Sequence, residues 1–247
     1  MQTVNDTLPN NFSRIELDQK FCFDCHPGVP CFTECCRELD LALTPYDVLR
    51  LKRQLKLQSG IFLEKYVIIE WDEQQLFPIC YLTMVDDGRA SCVFVDKSGC
   101  KVYDNRPGSC RAYPVGRGAI RKADGTVDES FVLVTEDHCK GFAEGKEQDV
   151  NIYFADQELE TYNHFNDKLL ELYQHDKIRA GFKPTRAQLD QYILALYNLD
   201  TFSQQMANDS ISMKRPLTPM ELQGLAGDDE KLLLLAISWL KQEFFGE

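Results

Sequence analysis

Ten cysteines, all of them between Cys22 and Cys139, constrain this chain more than any other feature. Thiols used for ordinary core packing would be scattered along the sequence; these are gathered in one region, so something there requires sulfur. In an oxidising compartment the same density would read as a disulfide framework. Residues 1–17, however, carry Asn, Asp, Thr, Ser and Pro where an export signal needs an apolar run. The longest greasy stretch, residues 232–237, is too short to span a bilayer. A soluble, cytoplasmic protein is therefore expected, with no membrane partner and with its thiols reduced for metal or redox chemistry.

A chain of 247 residues with 44% hydrophobic side chains can build an ordinary core and is not disordered throughout. Its 27 Lys and Arg against 39 Asp and Glu give a formal charge of -12. No broad basic surface is left to neutralise phosphates, which argues against nucleic acid as a partner.

The first cysteine cluster, residues 21–36, contains two prolines and a glycine and reads as a folded loop. Thr44 then has the chemistry of a helix N-cap, with Pro45 at the first helical position and Asp47 at the third. Val48, Leu49, Leu51, Leu55 and Leu57 supply that helix's apolar face, and its end is expected near Ser59 and Gly60. A short helix is expected over residues 61–66. Residues 67–95 turn to β-branched and aromatic clusters broken by Asp86-Asp87-Gly88, the pattern of a hairpin or small antiparallel sheet. The second cluster, Cys92, Cys100 and Cys110, follows, and a second hairpin is expected over residues 118–134 around Asp124-Gly125. From residue 150 the spacing is helical: residues 159–173, a run opening at Thr185 and reaching Leu196, and residues 232–245. Residues 208–216 are the best candidate for a flexible connection. The expected class is α+β: a cysteine-rich loop and hairpin region, residues 21–142, packed with an all-helical C-terminal part, residues 148–247.

Thiolates are soft ligands suited to zinc or iron–sulfur centres, and crowding several together without a cation is electrostatically unfavourable. Cys35 and Cys36 are sequence neighbours, a strained pair for a mutual disulfide but well placed to serve one centre from two sides, or two adjacent centres. The Pro107-Gly108-Ser109-Cys110 turn can aim backbone amides at sulfur. Arg106 and Arg111 flank it as cofactor-binding candidates, since a guanidinium near thiolates offsets their charge; an ordinary surface ion pair is the alternative. Neither the paired C-x2-C zinc ribbon nor the C-x2-C-x2-C-x3-C-P ferredoxin run is present, so spacing does not choose the metal.

The block Gly99-Cys100-Lys101-Val102-Tyr103-Asp104-Asn105-Arg106-Pro107-Gly108-Ser109-Cys110-Arg111-Ala112-Tyr113-Pro114, with Cys25, Cys31 and Cys35-Cys36 ahead of it and Cys139-Lys140-Gly141 behind, resembles the YkgJ-type cysteine cluster family. Those proteins are described as zinc- or iron-chelating and are often labelled iron–sulfur oxidoreductases. The resemblance covers roughly residues 22–142. Where the commoner family opening is C-x2-C-x2-C-C, the intervals here are longer, from Cys25 to Cys31 and from Cys31 to Cys35. Carried over position by position, the resemblance implies eight metal ligands: Cys25, Cys31, Cys35, Cys36, Cys92, Cys100, Cys110 and Cys139.

The other chemistry-bearing residues have simpler readings. Cys80 lies in an apolar, strand-like context and is expected to pack as a small hydrophobe. Cys22 could ligate or not. His26 and His138 each adjoin a candidate ligand, while His164 and His175 are expected to be ordinary residues of the helical part; Tyr103 and Tyr113 read as packing. The acidic run Asp228-Asp229-Glu230 suits the N-terminus of the last helix. No Ser/His/Asp order, phosphate loop or dinucleotide fingerprint stands out. The leading functional expectation is a cysteine-ligated iron–sulfur cluster, one or two in number (4Fe–4S as the reference type), with redox or cluster-dependent enzyme activity such as that of an oxidoreductase and a protein redox or client partner. The alternative is a structural zinc module presenting a helical surface to a partner. Protein methyl transfer is a third option, because flagellin lysine methylases share a similar cysteine motif.

Overall fold

The computed structural model describes residues 8–143, 145–214, 217–225 and 227–247. Its first element lies within the polar leading stretch. Strand β1 (Phe12–Ile15) pairs antiparallel with a strand more than a hundred residues later, setting Phe12 opposite Val134 and Ile15 opposite Phe131. Only Ile15 of β1 is buried, so no period-2 pattern betrays it. Strand β2 (Phe21–Cys22) leads directly into the first cysteine loop.

Helix α1 (Pro45–Leu55) starts as its sequence dictates. Thr44 accepts from the Asp47 amide and Asp47 accepts from the Thr44 amide, a reciprocal capping box with Pro45 at the first position. The helix ends earlier than expected because Lys56 turns left-handed (φ 54°) and the Leu57 amide folds back onto the Lys52 carbonyl at 2.9 Å. Ser59 and Gly60 instead open α2 (Ser59–Tyr66), where the Ser59 amide donates to Asp200 at 2.5 Å. That signal comes from 141 residues away and is invisible locally.

The expected small sheets form. Strands β3 (Val67–Glu70) and β4 (Ile79–Leu82) pair antiparallel, and β5 (Met84–Val85) with β6 (Ser91–Cys92) flank the Asp86-Asp87-Gly88 turn. Strands β7 (Val95–Asp96) and β8 (Gly99–Cys100) make a tight third pair, followed by the short helix α3 (Gly108–Ala112). The second hairpin, β9 (Val115–Arg121) with β10 (Val127–Val134), joins β1 in a sheet of order β1-β10-β9. Strand β11 (Glu147–Gln148) pairs with β2.

The helical part comprises α4 (Val150–Asp156), α5 (Glu160–Tyr173), α6 (Asp176–Arg179), α7 (Arg186–Tyr197), α8 (Leu199–Ala207), α9 (Pro219–Leu225) and α10 (Asp229–Phe245). Thr185 caps α7 through a second capping box with Gln188. The Asp228-Asp229-Glu230 run does more than face the α10 dipole: Asp228 caps the helix, while Asp229 pairs with Lys52 at 3.0 Å and Glu230 accepts from the Tyr46 hydroxyl at 3.1 Å, tying α10 to α1. Of the expected connection, residues 208–214 lie between α8 and α9 without helix or strand, and Pro216 lies outside the described residues. The fold class is α+β with a helical C-terminal part.

Two apolar cores position the cysteines. The larger joins α1, α2, β4, Phe94 and Val102 to α5, α7, α8 and α10. The smaller holds Ile15, Phe21, Phe23, Val115, Phe131, Val150 and Tyr153, between the three-stranded sheet and α4. Burial of these side chains, at roughly 25 cal/mol per Å² of apolar surface, is the main stabilising term.

Candidate metal centre

The first loop is built from consecutive tight turns: the Val29 amide donates to His26, Phe32 to Val29, Glu34 to Cys31 and Cys36 to Thr33. These turns bring Cys25, Cys31 and Cys35 onto one side, and buried Val29 anchors them. Cys139 arrives from the opposite end of the region. Its approach depends on Gly141, whose Cα packs so closely on Phe23 and Asp24 that an added Cβ would lie 2.6 Å from the Asp24 carbonyl oxygen. Cys25, Cys31, Cys35 and Cys139 consequently line one small recess. Phe23, Tyr113, His138 and Gly141 complete its walls.

A second set gathers on β6, β8 and α3. Val95 pairs with Cys100, and Gly99, at φ +117° and with the Phe32 ring against its Cα, holds the turn that no side chain would fit easily. Cys92 and Cys100 are near enough for their charges to interact, and both act on Cys110. Cys110 keeps solvent access although protein surrounds it on most sides, as expected of a thiol facing into a cleft. The two sets meet at Cys35 and Cys36. A bridge from Arg37 to Ser91, and a bond from the Glu38 amide to the Ala90 carbonyl at 3.1 Å, seat that turn beside β6. Cys35 contacts the Cys36 thiol and also acts on Cys25, Cys100 and Cys110. All eight candidate ligands thus belong to one linked constellation, and every cysteine is a free thiol.

The electrostatics are those of crowded sulfur. Burial, then the charges of Cys35, Cys31 and Cys139, push the Cys25 thiol up to about 11. Contact with Cys36, followed by burial, raises Cys35, and burial raises Cys110. Several groups work the other way. The Phe94 and Val95 amides donate toward Cys92, and the Val102 amide toward Cys100, each favouring thiolate against the burial that raises both groups. The Lys140 amide donates to Cys31 Sγ at 3.1 Å. Amides aimed at sulfur are the usual support of metal-bound thiolates.

Among the described residues, no group of three or more His, Cys, Asp or Glu side chains is placed so that it could hold a metal ion. The donor chemistry nevertheless fits a thiophilic metal: soft thiols from separated segments, supported by amides. The buried Tyr113 hydroxyl adds to the fit, since it makes no hydrogen bond in a wall of the recess.

Arg106 and Arg111 have different settings. Arg106 is buried, stacks 3.9 Å from the Tyr103 ring centroid, donates to the Tyr103 carbonyl and Gln157, and acts on Cys100 to favour its thiolate. Arg111 is also buried and donates to the carbonyls of Gln157 and Asp104 and to Glu158. These bonds hold the ligand-bearing turn to the end of α4. Cys80 is fully buried in the larger core, its thiol raised to about 12 by desolvation. Cys22 is exposed on β2, opposite Glu147. His26 accepts from the Gly28 amide at 3.1 Å, whereas His138 lines the recess. His164 packs edge-on to Phe165, while His175 caps α6, stacks on Phe245 and meets Glu247 at 2.7 Å.

Sequence reasoning missed the second role of Asp47. Its Oδ1 accepts from the Gly108 amide at 2.7 Å while Oδ2 accepts from Thr44, so one buried carboxylate joins the start of α1 to the start of α3, two residues before Cys110. Burial pushes this carboxyl up, opposed by the amides of Gly108 and Thr44 and by Arg111. The capping box was the only local signal, and it accounts for one oxygen alone.

Comparison with curated proteins and with solved structures gives no match. A family model does match, over the stretch that carries the constellation. Residues 24–140 match the model of the CxxCxxCC family, whose description is "Putative zinc- or iron-chelating domain".

Proposed function

We propose that this protein holds an iron–sulfur centre, one or two clusters ligated by Cys25, Cys31, Cys35, Cys36, Cys92, Cys100, Cys110 and Cys139, and that it uses the centre in redox or cluster-dependent chemistry with a protein partner. The observation that carries this reading is the linked constellation of eight free thiols, with amides aimed at Cys31, Cys92 and Cys100. A bound cluster would supply one-electron transfer, with its potential set by the hydrogen bonds to sulfur and by exposure. Because Cys25, Cys35 and Cys110 carry raised proton affinity, binding a metal there would release protons, and because no three of the described side chains are placed to hold a metal ion, it would also require the loops to tighten.

One observation favours zinc instead. At Cys92 the amides two and three residues ahead point at sulfur, and at Cys100 the amide two ahead does so, a tight-turn arrangement that also suits a single tetrahedral ion. Anaerobic purification with metal and sulfide analysis separates the two. Brown protein with acid-labile sulfide supports the cluster; colourless protein with stoichiometric zinc removes it. Cys35→Ser and Cys110→Ser are each expected to lose metal, and full metal content in both variants would contradict the ligand assignment.

A further inference from the structure

Tyr113 closes the short helix that bears Cys110, yet its hydroxyl lies in the wall of the other thiol set. Its amide donates to the Ser109 carbonyl at 3.1 Å, its own carbonyl accepts from the Tyr153 hydroxyl, and its ring meets Phe23 edge-on with centroids 6.0 Å apart. The ring is therefore fixed by contacts that do not involve its oxygen. That oxygen has no solvent access and no hydrogen bond, although it faces the Cys139 thiol and the Glu136 carboxylate. An unpaired buried hydroxyl is destabilising.

Resting on the metal-binding reading above, we infer that the Tyr113 hydroxyl is a positioning group for the metal centre: it donates a hydrogen bond to the Cys139 sulfur once that sulfur is a metal-bound thiolate. A neutral thiol is a weak acceptor, and a thiolate is a strong one. The bond is unmade in this structure and would form when Cys139 holds a metal. It also links the two thiol sets, because the segment carrying Cys110 supplies the donor and Cys139 belongs to the recess. Glu136 is the competing acceptor, from the loop that carries Cys139.

The test compares wild-type protein with Tyr113→Phe and Glu136→Gln, each stripped of metal under reducing conditions. Each is titrated with cobalt(II) against a chromophoric chelator, with the sulfur-to-cobalt charge-transfer band recorded in parallel. Removing an outer hydrogen bond to a ligand weakens metal affinity by about 10-fold or more. Tyr113→Phe is expected to show that loss and a charge-transfer band moved to lower energy, since a thiolate relieved of a hydrogen bond is a better electron donor. Its metal-free form is expected to melt no lower than wild type. Higher or equal stability without metal together with weaker binding is a combination that lost packing does not produce. Glu136→Gln is expected to leave affinity and band unchanged. Affinity within twofold of wild type with an unmoved band in Tyr113→Phe overturns the inference, as does a Glu136→Gln variant that reproduces the effect. Absence of cobalt uptake by the wild type itself overturns the metal reading along with it.

Discussion

Asp47→Ala is expected to destabilise the metal-free protein by about 2–3 kcal/mol and to loosen its hold on metal, although Asp47 is not a candidate ligand. The magnitude follows from two losses. Removing the capping-box acceptor from α1 costs about 1 kcal/mol, and leaving the half-buried Gly108 amide without its 2.7 Å partner costs about 1–2 kcal/mol more. Burial disfavours the ionised carboxylate, which keeps the sum toward the low end of these ranges. In a chain of 247 residues such a change lowers the melting temperature by roughly 5–10 °C. Thr44→Ala is the comparator, because it removes the Thr44 hydroxyl from the cap and leaves the bond from Gly108 to Asp47 intact; it is expected to cost about 1 kcal/mol with metal affinity unchanged. Urea denaturation of metal-free protein under reducing conditions, with cobalt(II) titration of the same samples, reads both effects. A loss below about 0.5 kcal/mol in Asp47→Ala, or equal metal affinity in the two variants, would refute the argument that this carboxylate sets the α3 turn.

Cys80→Ser is expected to leave metal content unchanged and to lower stability by about 1–3 kcal/mol, because it puts a hydroxyl into the fully buried apolar site of the larger core; metal loss in this variant would make Cys80 part of the centre. The pH dependence of the metal-free and metal-bound forms should run in opposite directions. The folded protein holds the Cys25 proton up to about 11, whereas the unfolded thiol releases it near 9.0, so between these values the unfolded state binds fewer protons. The stability of metal-free protein is therefore complete below pH 9 and falls as pH rises toward 11. Metal affinity rises with pH over the range in which thiols must still lose protons to bind. Thermal melts from pH 8 to 11 and chelator competition from pH 6 to 8 measure the two, and a flat profile in either contradicts the crowded-thiol picture.

Elements carrying their own signals were legible in the sequence. Thr44, Pro45 and Asp47 announce α1, Thr185 announces α7, and the Asp-Gly turns announce the hairpins β5 with β6 and β9 with β10. What could not be read was information held by distant partners. The restart at Ser59 depends on Asp200; β1 is a strand because β10 offers an edge; Asp47 reaches the Cys110 turn because the fold brings the Gly108 amide to its carboxylate. The eight thiols could be picked out from the motif. The sequence left Cys35 and Cys36 to serve one centre from two sides or two adjacent centres, and the bridge from Arg37 to Ser91 seats their turn beside the second set.

That junction bears on why the cysteines are spread over so long a stretch. The recess set hangs on the smaller core through Phe23 and on the 139–141 segment, whereas Cys92 and Cys100 border the larger core, whose members Phe94 and Val102 are their close sequence neighbours. A ligand set drawn from one loop would stabilise that loop alone. Were the proposed ligands to share a metal centre, its binding free energy would couple the two cores. Arg117 of β9, paired with Asp167 of α5 at 2.8 Å, is a protein-only tie across the same boundary.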